Sequence, residues 1–578
     1  MNHTQPQQPH KSPLLHLSIV ALALAGLAVA CSPEESASGA AESRSSGDYY
    51  GGDYYGTTAA AGTSADSYYP AEPDYNSPID AQGGSSAGAP FEDTLLDPEP
   101  QPDPAEPVVN PEVDAASDNL ITFAVDVDTA SYAIARSYIN RGSLPPANAV
   151  RTEEFINYFD YRQAPPADQS EGPFGVELEG APSPFGEGKR LLRVGIKGFE
   201  VPLDQRPAAN LVFLLDVSGS MQADNKLGLV KQSMGLLLDS LKPTDMISIV
   251  TYAGADTIVL RPTEVTERDV ILNAINTLNA GGGTNGAAGI NTAYSLAQEA
   301  FITGGINRIV LCTDGDFNVG VTGSQLYSLI EQKREEGVTV SVLGFGMDSF
   351  NDTQMEQIAD RGNGNYAFID TIEEARRALV YNLTSTIFTI AKDVKLQLEV
   401  NPFVVRAHRL LGYENRAIAD NDFRNDRVDA GEIGAGHTVT ALVELSLYGE
   451  GEAPAADALT LPELDAAFVD ASGPLAVLRV RSKTPDATAD DAAVEQRFEL
   501  AAGASHASVE NASAALRFAA AAAEFAEILR GSSFAEGSSL EAVAELASGA
   551  VINEDEAMLE MVELARAAGR LLSGRSAP

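Results

Sequence analysis

Two hydrophobic periodicities divide this chain. Between residues 211 and 369, short continuous apolar runs at 211–215, 246–252, 308–313, 339–345 and 366–369 alternate with helical patterns, and 257–260 reads as a short edge strand. The helical patterns cover 226–241, 267–278, 286–300, 324–336, 353–360 and 372–390. An apolar run without polar alternation suits a strand buried on both faces, and strand–helix alternation predicts an α/β, doubly wound, mostly parallel sheet. Outside that region the period falls to two. Residues 174–179 and 191–197 precede it; Val394, Leu396, Leu398 and Val400, then Val439, Ala441, Val443, Leu445 and Leu447, then 474–481, follow it. These are half-buried strands. The last part returns to helical spacing: Phe518, Phe525 and Leu529 share a face, and Asn553 with Glu556 has the spacing of a capping box before 558–572.

Ordered structure is expected from about Asn119, with a strand at 120–125 and helices at 129–141 and 151–159; Asp128 and Thr129 read as a helix start. The β-segments before the central unit are too few to be stable alone, so both flanks are expected to join in one β-sandwich with the α/β unit inserted between its strands.

Composition changes the picture at the N-terminus. Residues 14–30 form an apolar run that ends at Cys31, too short for a confident spanning helix and suited to a signal-peptide core. Leu27-Ala28-Val29-Ala30-Cys31 resembles a bacterial lipobox, which implies lipid on Cys31; Ser32 in place of aspartate implies sorting to the outer membrane. Residues 32–117, rich in Ser, Gly, Ala, Pro, Asp and Tyr, lack the aliphatic residues for a core and read as a disordered tether. With 82 Asp plus Glu against 38 Lys plus Arg and a formal net charge of −44, no basic footprint for nucleic acid exists. Cys312, in an apolar run, reads as a small core residue.

The chemistry concentrates where apolar runs end. Asn210-Leu-Val-Phe-Leu-Leu-Asp216-Val-Ser218-Gly-Ser220-Met221 carries a strand into D-x-S-x-S; Gly281-Gly-Gly-Thr284 is a glycine-rich loop, and a second buried strand ends in Asp314. Ligand sites in such sheets lie at the C-terminal ends of strands. Hard oxygen donors without His or Cys suit Mg²⁺ first, with Mn²⁺ and Ca²⁺ also chemically suited. Asp216 and Ser218 also suit a helix cap, but a cap does not call for Thr284 and Asp314 in other loops. Here the chain resembles the von Willebrand factor type A domain. That resemblance implies a metal-ion-dependent adhesion site in which Ser218, Ser220 and Thr284 touch the metal while Asp216 and Asp314 hold it mostly through water. Residues 118–200, with VDVDTASY and LLRVGIKG, resemble the region preceding that domain in a family of bacterial lipoproteins.

The expected organisation is therefore a signal peptide and lipobox at 1–31, the tether at 32–117, an N-terminal flank at 118–200, the von Willebrand factor type A domain at 207–391 and a β-rich, then helical, region at 392–578. Gly186-Glu-Gly-Lys-Arg190 lacks the first glycine and the hydroxyl residue of a phosphate loop, so no nucleotide is expected. Asp224 and Asn225 read as a solvated helix start, and 420–429 as a solvated loop rather than a calcium loop. After Cys31 the histidines are His408, His437 and His506, all outside 207–391, which disfavours a hydrolase. The expected function is binding, without catalysis: a cell-envelope lipoprotein that holds a carboxylate of a protein partner through the metal. An assembly or maturation factor for a membrane complex is the alternative.

Overall fold

The computed structural model describes residues 108–575 apart from 126–127, 168–169, 171, 284–285, 316–322, 348–351, 429, 450, 463 and 489–490. The expectations for Cys31, for the signal peptide, for most of the tether and for Thr284 lie outside the described residues.

The central unit is a six-stranded sheet in the order Tyr366–Ile369, Thr339–Phe345, Ile306–Thr313, Ala209–Asp216, Met246–Tyr252, Asp256–Glu264. All pairings are parallel except the last. Every residue of Ala209–Asp216 and of Ile306–Thr313 is buried, as continuous apolar runs covered on both faces require. One face packs Leu211, Phe213 and Leu215 against Val230, Met234 and Leu237, and the other packs Val212 and Leu214 against Ile290 and Tyr294. The expected short edge is the longer antiparallel strand Asp256–Glu264, whose polar second half, Arg261 to Glu264, hides its length.

Both flanks of this unit build one sandwich. The first sheet runs Val113–Asp114, Val405–Leu411, Thr438–Leu447, Lys189–Gly198, Phe174–Pro182. In the second, Thr389–Val400 pairs with Gly431–Gly434, with Ala476–Lys483 and with Leu120–Ala124, and Val494–Leu500 lies beyond Ala476–Lys483. Val194, Ile196, Val439, Ala441 and Val443 meet Phe123, Leu396, Leu398, Leu478 and Val480 in the shared core. The period of two gives the first sheet a second apolar face: Leu442 points the other way, into a helical cluster with Phe518 and Phe525. The Gly186 to Arg190 segment closes the hairpin between Phe174–Pro182 and Lys189–Gly198, with Lys189 N–H donating to Gly186 O at 3.1 Å.

Several expectations need correction. Order begins before residue 118: Val113 pairs with His408, and Ala115 is fully buried. The helix expected at 372–390 is broken into Ile372–Arg376, a π-helical turn Arg377–Tyr381 and Leu383–Ile387, and a strand has begun by Thr389. The break falls at Asn382, a weak helix former, and beyond Ile387 the strand pattern wins. The helix start expected at Asp128 and Thr129 is where the sequence puts it, with Thr129 at the N-cap of Ala130–Asn140; Asp128 Oδ1 also accepts the Tyr366 N–H at 2.9 Å, on the edge strand of the central sheet. The last helix, Glu556–Arg575, is capped by Asp555, which accepts from the N–H groups of Ala557 and Met558, both at 3.1 Å; Asn553 sits at φ +51° before it. Val405–Leu411, Gly431–Gly434 and Val494–Leu500 are strands that the pattern of the sequence does not announce.

The helix Ala130–Asn140 joins two cores. Ala130, Ala133 and Ile134 lie on the central sheet's second face, while Tyr132, Ala135 and Ile139 enter the helical cluster. Between those faces Arg136 is buried, donating to Asp370 Oδ1 at 2.5 Å, Glu374 Oε2 at 2.8 Å, Glu560 Oε2 at 3.1 Å and Tyr158 Oη at 2.7 Å. Burial alone raises the Glu374 carboxyl, but Arg377 and Arg136 overcome it and bring it down to about 2. The C-terminal helices Ala514–Leu529, Leu540–Ser548 and Glu556–Arg575 complete the cluster. Among the described residues no helix is long and apolar enough to cross a membrane.

Two outcomes follow from this architecture. Residues 118–200 expressed alone should show no cooperative unfolding by circular dichroism, because Leu120–Ala124 and Lys189–Gly198 lose their partners Thr389–Val400 and Thr438–Leu447. A sharp transition in that fragment would refute the shared sandwich. The second concerns Glu524, which burial raises from 4.5 to about 7, with the Glu527 and Glu444 charges adding to it. A carboxyl raised in the folded state contributes stability below its unfolded value, and that contribution is lost as pH rises through the folded one. Glu524→Gln should therefore remove about 1–3 kcal/mol of the loss in stability between pH 4.5 and 7, seen in urea unfolding across that range.

Candidate functional site

Ala209–Asp216 lies between Ile306–Thr313 and Met246–Tyr252, where the strand order reverses, so the loops leaving these strands open a crevice at their C-terminal ends. Asp216 ends the first of these strands, and Asp314 directly follows the second. Both are fully buried, and Ser218 is buried beside them. Ser220 is exposed, in the short 3₁₀ turn Gly219–Gln222, with its hydroxyl 2.9 Å from that of Ser218. The structure thus gathers Asp216, Ser218, Ser220 and Asp314 on two neighbouring strand ends and the loops that leave them.

Backbone bonds clamp the loops together. Val217 N–H donates to Tyr252 O at 3.0 Å, Gly281 N–H to Val217 O at 2.8 Å and Gly219 N–H to Gly282 O at 3.1 Å. Gly282 makes this clamp at φ +90°, a conformation that favours glycine, so the glycine-rich loop is fixed against the D-x-S-x-S turn and leads directly into residue 284.

The two carboxylates are supplied differently. Asp216 Oδ1 accepts the Ser218 N–H at 2.8 Å, and Oδ2 accepts from the Tyr252 hydroxyl at 3.2 Å and from the Thr313 hydroxyl at 3.4 Å. Burial pushes the Asp216 carboxyl above its ordinary range; the Ser218 hydroxyl and N–H oppose this, and the Asp314 charge adds to it. Asp314 Oδ2 accepts from the Lys226 ammonium at 3.0 Å, whereas Asp314 Oδ1 is buried with no hydrogen-bond partner among the described residues. An orphaned buried carboxylate oxygen beside a second buried carboxylate is costly unless something positive comes to it. The donor set fits a hard divalent cation: oxygen only, hydroxyl-rich, with two acids. Among the described residues no three His, Cys, Asp or Glu side chains form a metal cluster, so hydroxyls are needed to complete such a shell. When bound, the cation supplies a Lewis-acidic position that takes an anionic oxygen; Asp216 and Asp314 would hold it by charge, and Ser218 and Ser220 by their hydroxyls.

Sequence reasoning missed two residues here. Tyr252 was read only as the end of a strand. Lys226 was read as an ordinary helix start, although its spacing of four and eight from Val230 and Met234 puts it on the apolar face, where a lysine needs an explanation. Cys312 is buried, and burial pushes its thiol far up, as for an inert core residue. Asp224 and Asn225 are exposed, as a solvated turn requires.

Residues 210–381 match the von Willebrand factor type A domain, residues 105–193 a family described as von Willebrand factor, and residues 385–571 one described as "Uncharacterized protein YfbK, C-terminal". Type A domains are generally adhesion or interaction modules rather than enzymes. The Escherichia coli K12 protein YfbK is 42% identical over 448 residues, 76% of this chain and 76% of its own. Inter-alpha-trypsin inhibitor heavy chain H4 of Homo sapiens is 28% identical over 149 residues, 24% of this chain and 16% of that one. Among solved structures, a von Willebrand factor type A protein from Catenulispora acidiphila aligns at TM-score 0.39 and 15% identity, over 71% of this chain and 91% of that one. Proximal thread matrix protein 1 from the mussel byssus, with a zinc-occupied MIDAS motif, aligns at TM-score 0.26 and 20% identity, over 32% and 47%. With a type A domain between two matched flanks, and with that identity extending across three quarters of both chains, this protein belongs to the YfbK family.

Proposed function

We propose that the protein is a binding protein of the bacterial cell envelope that uses a divalent cation, Mg²⁺ in the cell, to hold a carboxylate of a protein partner. Asp216, Ser218, Ser220, Thr284 and Asp314 hold the ion, and lipid on Cys31 anchors the chain to a membrane, with the following residues as the spacer. The observation that carries the metal reading is Asp314 Oδ1, buried beside the strand ends and without a hydrogen-bond partner among the described residues. The neutral hydroxyls leave two carboxylates to offset a dication, so the ion keeps its appetite for a further oxygen anion. The anchor rests on the small residues before Cys31 and the long polar stretch after it.

Mg²⁺ or Mn²⁺ at a hundredfold excess over its dissociation constant should stabilise the protein by about 2.7 kcal/mol, read as a rise in melting temperature. Asp216→Ala should abolish that rise, and an equal rise in the variant would remove the site. The anchor is tested separately: wild type should sediment with membranes, and Cys31→Ser should appear in the soluble fraction. Mass spectrometry that finds an unmodified Ser32 at the mature N-terminus would rule out lipidation.

A further inference from the structure

The lysine at this site is built in. Lys226 stands in the π-helical turn Asp224–Gly228, an irregularity that turns up frequently at functional sites, and it is 3% exposed. Its stem lies over Gly346, which follows the strand Thr339–Phe345 at φ +75°; a Cβ on residue 346 would come within 2.3 Å of Lys226 Cε. A glycine thus makes room for the stem, and the stem carries the ammonium to Asp314 Oδ2 at 3.0 Å. Burying an ammonium is expensive unless it is paired. Here it is paired with one of the two carboxylates that the metal reading requires.

The consequence is electrostatic. Asp216 and Asp314 contribute two negative charges and Lys226 one positive, so these three buried groups present one net negative charge to a dication. A cation that shares Asp314 with the ammonium lies within about 8 Å of it, inside the range where buried charges are not screened by salt. We propose that Lys226 is a resident counter-cation that holds down the intrinsic affinity of the site for its metal, so that the metal is held tightly only when an anionic oxygen of the partner supplies the missing negative charge. Metal and acidic partner then bind with positive coupling, each raising the affinity for the other by the same factor. This rests on the metal reading above, and it makes Lys226 a specificity-determining residue: a neutral oxygen ligand does not restore the charge balance, whereas a carboxylate does.

The test is Mn²⁺ alone, titrated by electron paramagnetic resonance into wild type, Lys226→Met, Lys226→Gln and Asp216→Ala, all without a partner. Lys226→Met removes the charge and the hydrogen bond to Asp314, while Lys226→Gln removes the charge and keeps a donor. Both should bind Mn²⁺ at least tenfold more tightly than wild type, and Asp216→Ala should not bind it. If wild type binds Mn²⁺ through Asp216 but both Lys226 variants bind equally or more weakly, Lys226 only positions Asp314, and the inference falls while the metal reading stands. Absence of Asp216-dependent binding in every variant overturns both. Metal-free unfolding of each variant is followed in parallel, and loss of the cooperative transition in both Lys226 variants makes the lysine a structural ion pair and likewise ends the inference.

Discussion

The antiparallel pairing of Lys189–Gly198 with Thr438–Leu447 is the constraint on which the rest of the structure depends. It joins residues on either side of the α/β unit in one sheet, and the pairing of Leu120–Ala124 with Thr389–Val400 does the same in the other. Register is set by burial: a one-residue slip would turn Val439, Ala441 and Val443 out of the sandwich core and bring polar Thr440 in. Because both faces of the first sheet are covered, one by the second sheet and the other by the C-terminal helices, such a slip has no solvent side to relax into. The central unit is thereby fixed at both ends, and its entry is fastened by a fully buried Arg206–Asp245 pair, with Asp245 also accepting the Ala209 N–H at 2.8 Å. The strand that carries Asp216 begins at that residue.

A rigidly held sheet matters for the site because the site is made of strand ends. Asp216 and Asp314 are brought together by the parallel register of Ala209–Asp216 with Ile306–Thr313, not by any contact between the two acids. Two buried carboxylates repel each other, and the fold opposes this with donors: the Ser218 N–H and the Tyr252 and Thr313 hydroxyls on one acid, the Lys226 ammonium on the other. The distribution is uneven. Asp216 has donors on both oxygens, whereas Asp314 keeps one oxygen without a partner among the described residues, and that asymmetry sets the site apart from a closed structural network.

Much of this was legible in the sequence, for physical reasons that differ by element. The buried parallel strands declare themselves, because a run such as Leu211-Val-Phe-Leu-Leu215 admits no solvent-facing reading. D-x-S-x-S at the end of one such run and Asp314 at the end of another predict a shared crevice through topology alone. Val494–Leu500 was not legible, since its Glu-Gln-Arg-Phe-Glu sequence is an edge with little apolar face to show. Nor was Val113–Asp114, two residues whose strand character comes entirely from His408 and Ala407 across the ladder. Lys226 was hidden for another reason: one-dimensional patterns treat lysine as a solvent marker, and only the third dimension supplies the carboxylate and the glycine slot that make its burial tolerable.

The Arg136 cluster shows how the same logic of buried charge serves orientation. Asp370 and Glu374 come from the end of the central unit, Glu560 from the last helix, and Arg136 from the helix that lies between the cores. An apolar contact at this junction would tolerate sliding by a fraction of a turn, because dispersion is not directional. A guanidinium with fixed donor directions does not: parting its helix from the central unit leaves the buried Arg136, Asp370 and Glu374 charges without each other, a loss of several kcal/mol, while the half-exposed Glu560 adds a weaker tie to the last helix. Glu374 also holds Arg377, which lies 4.0 Å over the Tyr158 ring, so the cluster continues to the end of the short helix Thr152–Asn157 of the N-terminal flank. The flanks are therefore more than a scaffold around the α/β unit. They fix its angle, and with it the direction in which the crevice between Asp216 and Asp314 faces.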